Sequence, residues 1–326
     1  MPISLTFHES QYPARVAEHL RHGLRTRRLP MKFLYDTPAQ AQLWLAYHQA
    51  YSPSRTETDL LTLYDQSFEA ALRTVSSDAL HVVSLGCGGG RKDAQFLHRA
   101  QAQCSHLLFT PTDISAALVL ETMLHIQEAF PALPCFPYVM DLEVRPDLHA
   151  LLAQAETRPS TRLLSCFGMI PNFDHRAFLP YLRRLMRPHD RLLISANLSP
   201  EPYPDGCAAI VTQYDNPFSH AWFAGLLESL GFPLHQLHLT VAAASQREDG
   251  HIWQIQAYAT FAEPVTLTVY DETFTFAAGE QLHLFVSTRF TPQVMPQVLA
   301  DAGLHVIETF LFASQEEGIY VCTGST

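Results

Sequence analysis

Charge is what this 326-residue chain has least of. Asp, Glu, Lys and Arg make up 16% of it, below the quarter usual in globular domains, while 47% is apolar. That balance excludes a disordered chain, which cannot bury enough apolar surface to fold. Cations are scarcer than anions, 21 Lys and Arg against 32 Asp and Glu, for a formal net charge of -11. Phosphate binding needs clustered cations, so neither nucleic acid nor an anionic membrane is an expected partner. The basic cluster from Arg21 to Arg28 reads as a solvated helix end. Paired cysteines are missing as well: Cys87, Cys104, Cys135, Cys166, Cys207 and Cys322 show no CxxC spacing. Free thiols in a reducing cytoplasm are expected. The 17 histidines form neither HExxH nor a CxxC–HxxxH set, so no metal is expected. No apolar run reaches membrane-span length, and the N-terminus lacks a signal-peptide pattern. A soluble, cytoplasmic protein is the expectation.

What is present is organised around Val82-Val83-Ser84-Leu85-Gly86-Cys87-Gly88-Gly89-Gly90-Arg91-Lys92-Asp93. A β-branched run delivers consecutive glycines, and a helical pattern follows at Ala94, Phe96 and Leu97. Strand, glycine turn, helix opens a nucleotide-binding α/β unit. The helix start offers free N–H groups and partial positive charge. The dinucleotide fingerprint fails, because Arg91 stands where its third glycine belongs. A P-loop fails too, because Gly90-Arg91-Lys92-Asp93 lacks Gly-Lys-Ser/Thr. The shorter Leu-Gly-Cys-Gly-Gly-Gly form resembles the first motif of S-adenosylmethionine (SAM) dependent methyltransferases. The bland alternative is a glycine-rich turn with no ligand.

Two further strand ends carry acids. His106 to Asp113 reads as a strand ending in a carboxylate 25 residues after Gly88, where ribose hydroxyls are read. Cys135 to Met140 reads as a third strand, followed by Asp141-Leu142-Glu143. An acid and an apolar residue there suit adenine, the carboxylate accepting from the exocyclic amine and the side chain covering the ring. A lone strand-end acid is more often a cap. Three ligand-type signals on successive strand ends favour a site.

Along the chain, residues 1–8 read as an irregular arm and 13–24 as a helix. Leu29 to Asp36 reads as extended. Pro38 opens a helix through Leu43, Trp44 and Tyr47, and Thr56 is a candidate cap for a helix from 57 to about 76. Strands are predicted near 81–86, 106–111, 135–140, 162–167 and 191–196, with helices near 91–103, 115–129, 145–155 and 175–187. That alternation means a mainly parallel sheet covered on both faces. After the prolines at 200, 202 and 204 comes a helix near 217–230. Successive antiparallel strands follow at 235–244, 251–261, 265–270, 273–276 and 281–290, with Asp249-Gly250 as a hairpin turn. A helix to about 302 and strands at 305–313 and 318–322 close the chain.

The order Lys32-Phe33-Leu34-Tyr35-Asp36, Tyr51-Ser52-Pro53-Ser54-Arg55-Thr56-Glu57, Leu85-Gly86-Cys87-Gly88 and Pro111-Thr112-Asp113-Ile114-Ser115 resembles the histidine-specific Nα-methyltransferases of ergothioneine biosynthesis. Ile170-Pro171-Asn172-Phe173, Tyr214-Asp215-Asn216 and Val286-Ser287-Thr288-Arg289-Phe290 extend the likeness over nearly the whole chain. The resemblance implies a Rossmann-like class I SAM-dependent methyltransferase sheet with a second, α+β substrate-binding domain. Residues 57–199 and 288–326 would form the SAM-binding domain, and residues 1–56 and 200–287 the substrate-binding domain. It implies SAM as cofactor, S-adenosyl-L-homocysteine as product and no metal. Cofactor positions are Tyr35, Gly86, Gly88, Lys92, Asp113, Asp141 and Leu142. The catalytic positions, which orient the acceptor, are Tyr35, Asn172 and Tyr214, and substrate positions are Ser52, Asn172, Phe173, Tyr214, Phe285 and Ser287.

The substrate set departs from the family's pattern. The second tyrosine of its Tyr-Tyr-Pro-Thr-Arg motif is Ser52, and its Gly-Asn is Pro171-Asn172. Its Glu-x-Ser, which holds the histidine imidazole, reads Phe285-Val286-Ser287. Phenylalanine can neither accept a hydrogen bond nor balance a cation, so a larger, flatter or less polar small-molecule acceptor than histidine is expected, methylated at nitrogen. Asp215, His220, His251 and His283 are candidates for a general base. Competing readings are the family's histidine activity, a SAM-binding protein without catalysis, a nicotinamide oxidoreductase disfavoured by Arg91, and a methyltransferase of nucleic acid or protein disfavoured by the acidic charge. A monomer or weak homodimer is expected.

Overall fold

The computed structural model describes residues 2–51 and 58–324. Thr56 and Ser52, with the rest of 52–57, lie outside the described residues. Contacts divide the chain into two compact units: Met1–His8, Glu57–Pro200 and Phe290–Thr326 in one, Glu9–Thr56 and Glu201–Arg289 in the other.

The first unit is built on an eight-stranded sheet. Its strands are β1 (Thr6–Phe7), β2 (Ala79–Leu85), β3 (His106–Asp113), β4 (Tyr138–Val139), β5 (Thr161–Phe167) and β6 (Arg191–Asn197), joined by β12 (Leu304–Leu311) and β13 (Glu317–Gly324). The order is β1-β4-β3-β2-β5-β6-β13-β12. The pairs from β1 to β6 are parallel and the pairs of β13 with β6 and β12 antiparallel. All of β2 is buried, as a strand covered on both faces requires. Helices Thr58–Arg73, Arg91–Gln101, Ala116–Ala129, Leu148–Ala155 and His175–Leu185 bury their apolar stripes. The chain runs outward from β2 to β4 and returns to β5 on the other side of β2. The strand order therefore reverses between β2 and β5, and the carboxyl ends there form the crevice where open α/β sheets bind ligands.

The second unit has a three-stranded sheet, β11-β8-β7, from β7 (Leu237–Ser245), β8 (Ile252–Phe261) and β11 (Gln281–Phe290), plus an antiparallel pair, β9 (Val265–Val269) and β10 (Glu272–Phe276). On β8, Trp253, Ile255, Ala257, Ala259 and Phe261 are buried while the residues between them are half-buried, the alternation of a sheet with one face on a core. Helices Pro13–Thr26, Pro38–Tyr51 and Pro217–Ser229 join the same unit. The expected Asp249-Gly250 turn lies between β7 and β8, with Gly250 at φ +72°.

Three expectations need correction. The third parallel strand shrinks to Tyr138–Val139, with one isolated bridge from Phe109 to Cys135. Pro134 and Pro137 interrupt it, because proline has no N–H for the ladder. Leu29 to Asp36 is not extended. Met31–Leu34 is a turn of 3-10 helix that buries Leu29, Phe33 and Leu34. The arm at 1–8 is tied down: Thr6 donates to Pro137 O at 3.0 Å and His8 to Val139 O at 3.0 Å. The basic segment is the solvated helix end expected, with Arg21, Arg25 and Arg27 in surface ion pairs with Asp271, Glu272 and Glu280.

Candidate active site

The glycine loop follows β2 at the reversal point. Gly86 N and Cys87 N donate to Thr112 O at 2.8 and 3.0 Å, holding the loop against β3. Gly86 sits at φ +73°, and a Cβ there would stand 2.0 Å from the sulfur of Met169. Only glycine fits both the conformation and the space. Gly90 caps the helix Arg91–Gln101.

Asp113 ends β3 with its carboxylate on the loop, accepting from Gly88 N at 3.1 Å and Ser115 N at 3.0 Å. Burial pushes it up to about 6, although the N–H groups of Ser115, Gly88 and Ile114 oppose the shift. Asp141, 4% exposed, caps the 3-10 turn Leu142–Val144 by accepting from Glu143 N at 2.9 Å. Leu142 is buried beside it. Lys92 lies with its ammonium 3.9 Å from the centre of the Tyr64 ring and 5.6 Å from that of Phe167. After β5, Asn172 ends the 3-10 turn Ile170–Asn172 with a half-buried side chain, and Phe173 stacks on Phe178 at 4.2 Å.

Sequence reading missed Asp93, in the first turn of the loop's helix. It is 3% exposed, and burial raises it to about 7 against a hydrogen bond from Ser84. Its signal was its place in the glycine motif, although an acid in a first helical turn is ordinarily solvated. It also missed the buried support beneath Lys92. Tyr64 OH bonds Glu317 and, at 2.9 Å, Ser195 Oγ, which accepts from Gly168 N at 3.0 Å. These residues come from four distant stretches, so no local pattern announced them.

The second unit holds the remaining predicted residues. Tyr35 meets Trp44 and Trp222 edge-on at 5.9 and 5.3 Å. Trp222 Nε1 donates to Leu34 O at 2.7 Å, fixing the indole. Phe285, 3% exposed, packs against Tyr214, Trp222 and Phe223 at 5.5 to 5.7 Å. Tyr214 OH lies 3.3 Å from Ser287 Oγ and accepts from Arg289 Nη2 at 2.5 Å. Tyr47, whose sequence context shows only a helix position, stacks on Trp222 at 5.7 Å.

The general-base candidates are not gathered. Asp215 and His220 form an exposed pair at 2.8 Å. Burial, and then Arg28, lower His283 to about 4. His251 sits in the turn before β8. Among the described residues no group of His, Cys, Asp and Glu is placed to hold a metal, and all six cysteines are free.

A phosphate cradle leaves its loop amides free and brings cations. Here Gly88 N is taken by Asp113, which with Asp141 is buried at the strand ends, and Asp93 is buried in the first turn of the loop's helix. Such a rim repels pyrophosphate. It suits a nucleoside that has no phosphate and carries a sulfonium cation. Fold and site together therefore define a SAM-dependent methyltransferase.

Comparison with known proteins agrees. A family profile described as "Histidine-specific methyltransferase, SAM-dependent" matches residues 16–323, and the chain belongs to that family. It is 27% identical over 86% of its length to "Histidine N-alpha-methyltransferase" of Mycobacterium tuberculosis (strain CDC 1551 / Oshkosh), covering 85% of that protein. The protein of the same name from Mycolicibacterium smegmatis is 25% identical over 88% of this chain and 89% of its own. "N-methyltransferase fsqC" of Aspergillus fumigatus is 21% identical over 91% of this chain and 80% of its own.

Proposed function

We propose that this enzyme transfers the SAM methyl group to the nitrogen of a small-molecule acceptor other than histidine. Gly86, Gly88, Lys92, Asp113, Asp141 and Leu142 would hold SAM, Asp113 accepting from the ribose hydroxyls and Asp141 with Leu142 receiving the adenine. Bound SAM supplies an electrophilic methyl on a sulfonium. The protein's role is alignment of the acceptor and exclusion of water. Tyr35, Asn172 and Tyr214 would orient the acceptor, with Phe173, Ser287 and Ser52 completing its site. A neutral amine is already a nucleophile, which fits the scattered general-base candidates. The free cysteines suit the cytoplasm, and a monomer or weak homodimer is sufficient for this chemistry.

The observation that carries the choice of acceptor is Phe285. It stands where the relatives' histidine activity implies a carboxylate partner for imidazole, and it is sealed among Tyr214, Trp222 and Phe223. Unpaired polar groups against such a wall cost about 1–3 kcal/mol each. The relatives' names favour nitrogen. Calorimetric titration with S-adenosylhomocysteine, then with histidine, tests the proposal. We expect cofactor binding without histidine binding. Micromolar histidine binding would return the chain to the family's named activity.

A further inference from the structure

Lys92 and Glu317 are opposite charges set on one tyrosine. Tyr64, from the helix Thr58–Arg73, is fully buried. The Lys92 ammonium stands over its ring, 3.9 Å from the centre. Glu317, buried at the start of β13, takes its hydroxyl. Among the described residues no Lys, Arg or His pairs with that carboxylate. Burial, and then the charge of Glu317, raise the Tyr64 hydroxyl well above its ordinary range, so it keeps its proton.

That hydroxyl has one proton to give, and an ionised carboxylate can only accept. The proton therefore points to Glu317. The phenol oxygen accepts from Ser195 Oγ at 2.9 Å, which itself accepts from Gly168 N at 3.0 Å. Phe167 meets the ring edge-on at 5.3 Å, and Phe68 lies 6.0 Å away. The ring is thus fixed at its hydroxyl and on its flanks, with the cation on its face and the anion at its hydroxyl edge. A buried carboxylate stripped of its hydrogen-bond donor is costly and draws a nearby cation. Tyr64 prevents that by satisfying Glu317 with a neutral donor and giving Lys92 a π face instead.

Resting on the proposed methyltransferase function, in which Lys92 contacts the cofactor, we propose that Tyr64 is a positioning residue that partitions Lys92 from Glu317 and so holds the ammonium at the start of the glycine-loop helix. S-adenosylhomocysteine carries one anion, the carboxylate of its amino-acid tail, and the Lys92 ammonium is the charge complementary to it. Without the Tyr64 hydroxyl, Glu317 captures Lys92 and withdraws it from that carboxylate.

Calorimetry with S-adenosylhomocysteine tests this, with thermal melting to show that each variant is folded. Tyr64→Phe keeps the ring and removes the hydroxyl, and affinity should fall at least about fivefold. Glu317→Gln, whose amide oxygen still accepts from Tyr64, should stay within about twofold of wild type. Added to Tyr64→Phe, it removes the charge that draws Lys92 and should restore affinity to within about twofold, a rescue that damaged packing would not show. 5′-Methylthioadenosine, which has no amino-acid tail, should bind wild type and Tyr64→Phe alike. Unchanged S-adenosylhomocysteine affinity in Tyr64→Phe, a loss that Glu317→Gln leaves in place, or an equal loss for 5′-methylthioadenosine overturns the partition. If Tyr64→Phe does not fold, the double variant, which strands no carboxylate, decides: folding with affinity within about threefold of wild type supports the partition, and a larger loss overturns it. Failure of the wild type to bind S-adenosylhomocysteine counts separately, against the methyltransferase reading.

Discussion

Asp113 accepts two backbone N–H groups and is still raised to about 6, because it is buried. The sign of its effect follows. In the proposed site ribose hydroxyls would donate to the ionised carboxylate, so binding would expel the proton held below about pH 6. S-adenosylhomocysteine affinity should hold steady above that pH and fall below it, approaching tenfold per pH unit. Asp113→Asn should flatten the profile and weaken binding about 10- to 100-fold, roughly 1.4 to 2.7 kcal/mol. Asp93→Asn should keep the step near pH 6. Calorimetry across pH 5 to 8, a window set by these shifts, reads all three. For folding the sign is opposite. A carboxyl raised in the folded state favours that state at low pH, and the contribution is lost as pH rises through about 6. At Phe285 the expected outcome is a gain: Phe285→Glu restores an acid on the face of Arg289 and Ser287. Histidine should then bind at least about tenfold more tightly, with S-adenosylhomocysteine affinity unchanged. A variant that folds and gains nothing would sever Phe285 from acceptor choice.

At the scale of elements, one buried ion cluster ties the amino ends of strands to their neighbours. Glu156, which ends the helix Leu148–Ala155, takes Arg162 Nε of β5 at 2.7 Å, Arg187 Nη1 at 3.1 Å and His81 Nδ1 of β2 at 3.1 Å. Asp190 Oδ1 accepts from Arg162 N at 2.8 Å. Burial works against the Glu156 charge, but the hydrogen bonds of Arg162 and His81 and the charges of Arg162 and Arg187 hold it near 2. A depressed carboxyl stabilises the fold above its ordinary range, and that stability is lost as pH falls from about 4.5 toward 2. Glu156→Gln should cost about 3 kcal/mol in denaturant unfolding and lack that acid limb. Its S-adenosylhomocysteine affinity should stay within about twofold, since the cluster lies away from the glycine loop. A large loss of affinity with intact stability would refute this division. The corrected elements have local causes. Pro134 and Pro137 shorten β4, and burial of Leu29, Phe33 and Leu34 curls a segment whose sequence reads as extended.

For the molecule as a whole, both units draw on free thiols and none on disulfides. Burial raises all of these thiols, Cys166 and Cys322 to about 12. Reductant should leave the melting temperature unchanged. A thiol reagent should reach only the partly exposed Cys135 and Cys207 before unfolding.

The sequence by itself determined the β2–glycine–helix unit, the alternation to residue 200, the hairpin strands beyond it and the cofactor class. Those features are written in short windows, as periodicity, glycine and a strand-end acid. It also placed Phe285 on a strand and marked it as a departure from the family. Only the tertiary structure decided that Asp93 is buried beside the loop, that Tyr64, Ser195 and Glu317 meet under Lys92, and that Arg289 is a buried cation bonded to the Tyr214 hydroxyl. Burial and counter-charge depend on residues far apart in the chain, and their values are fixed only when the fold brings those residues together.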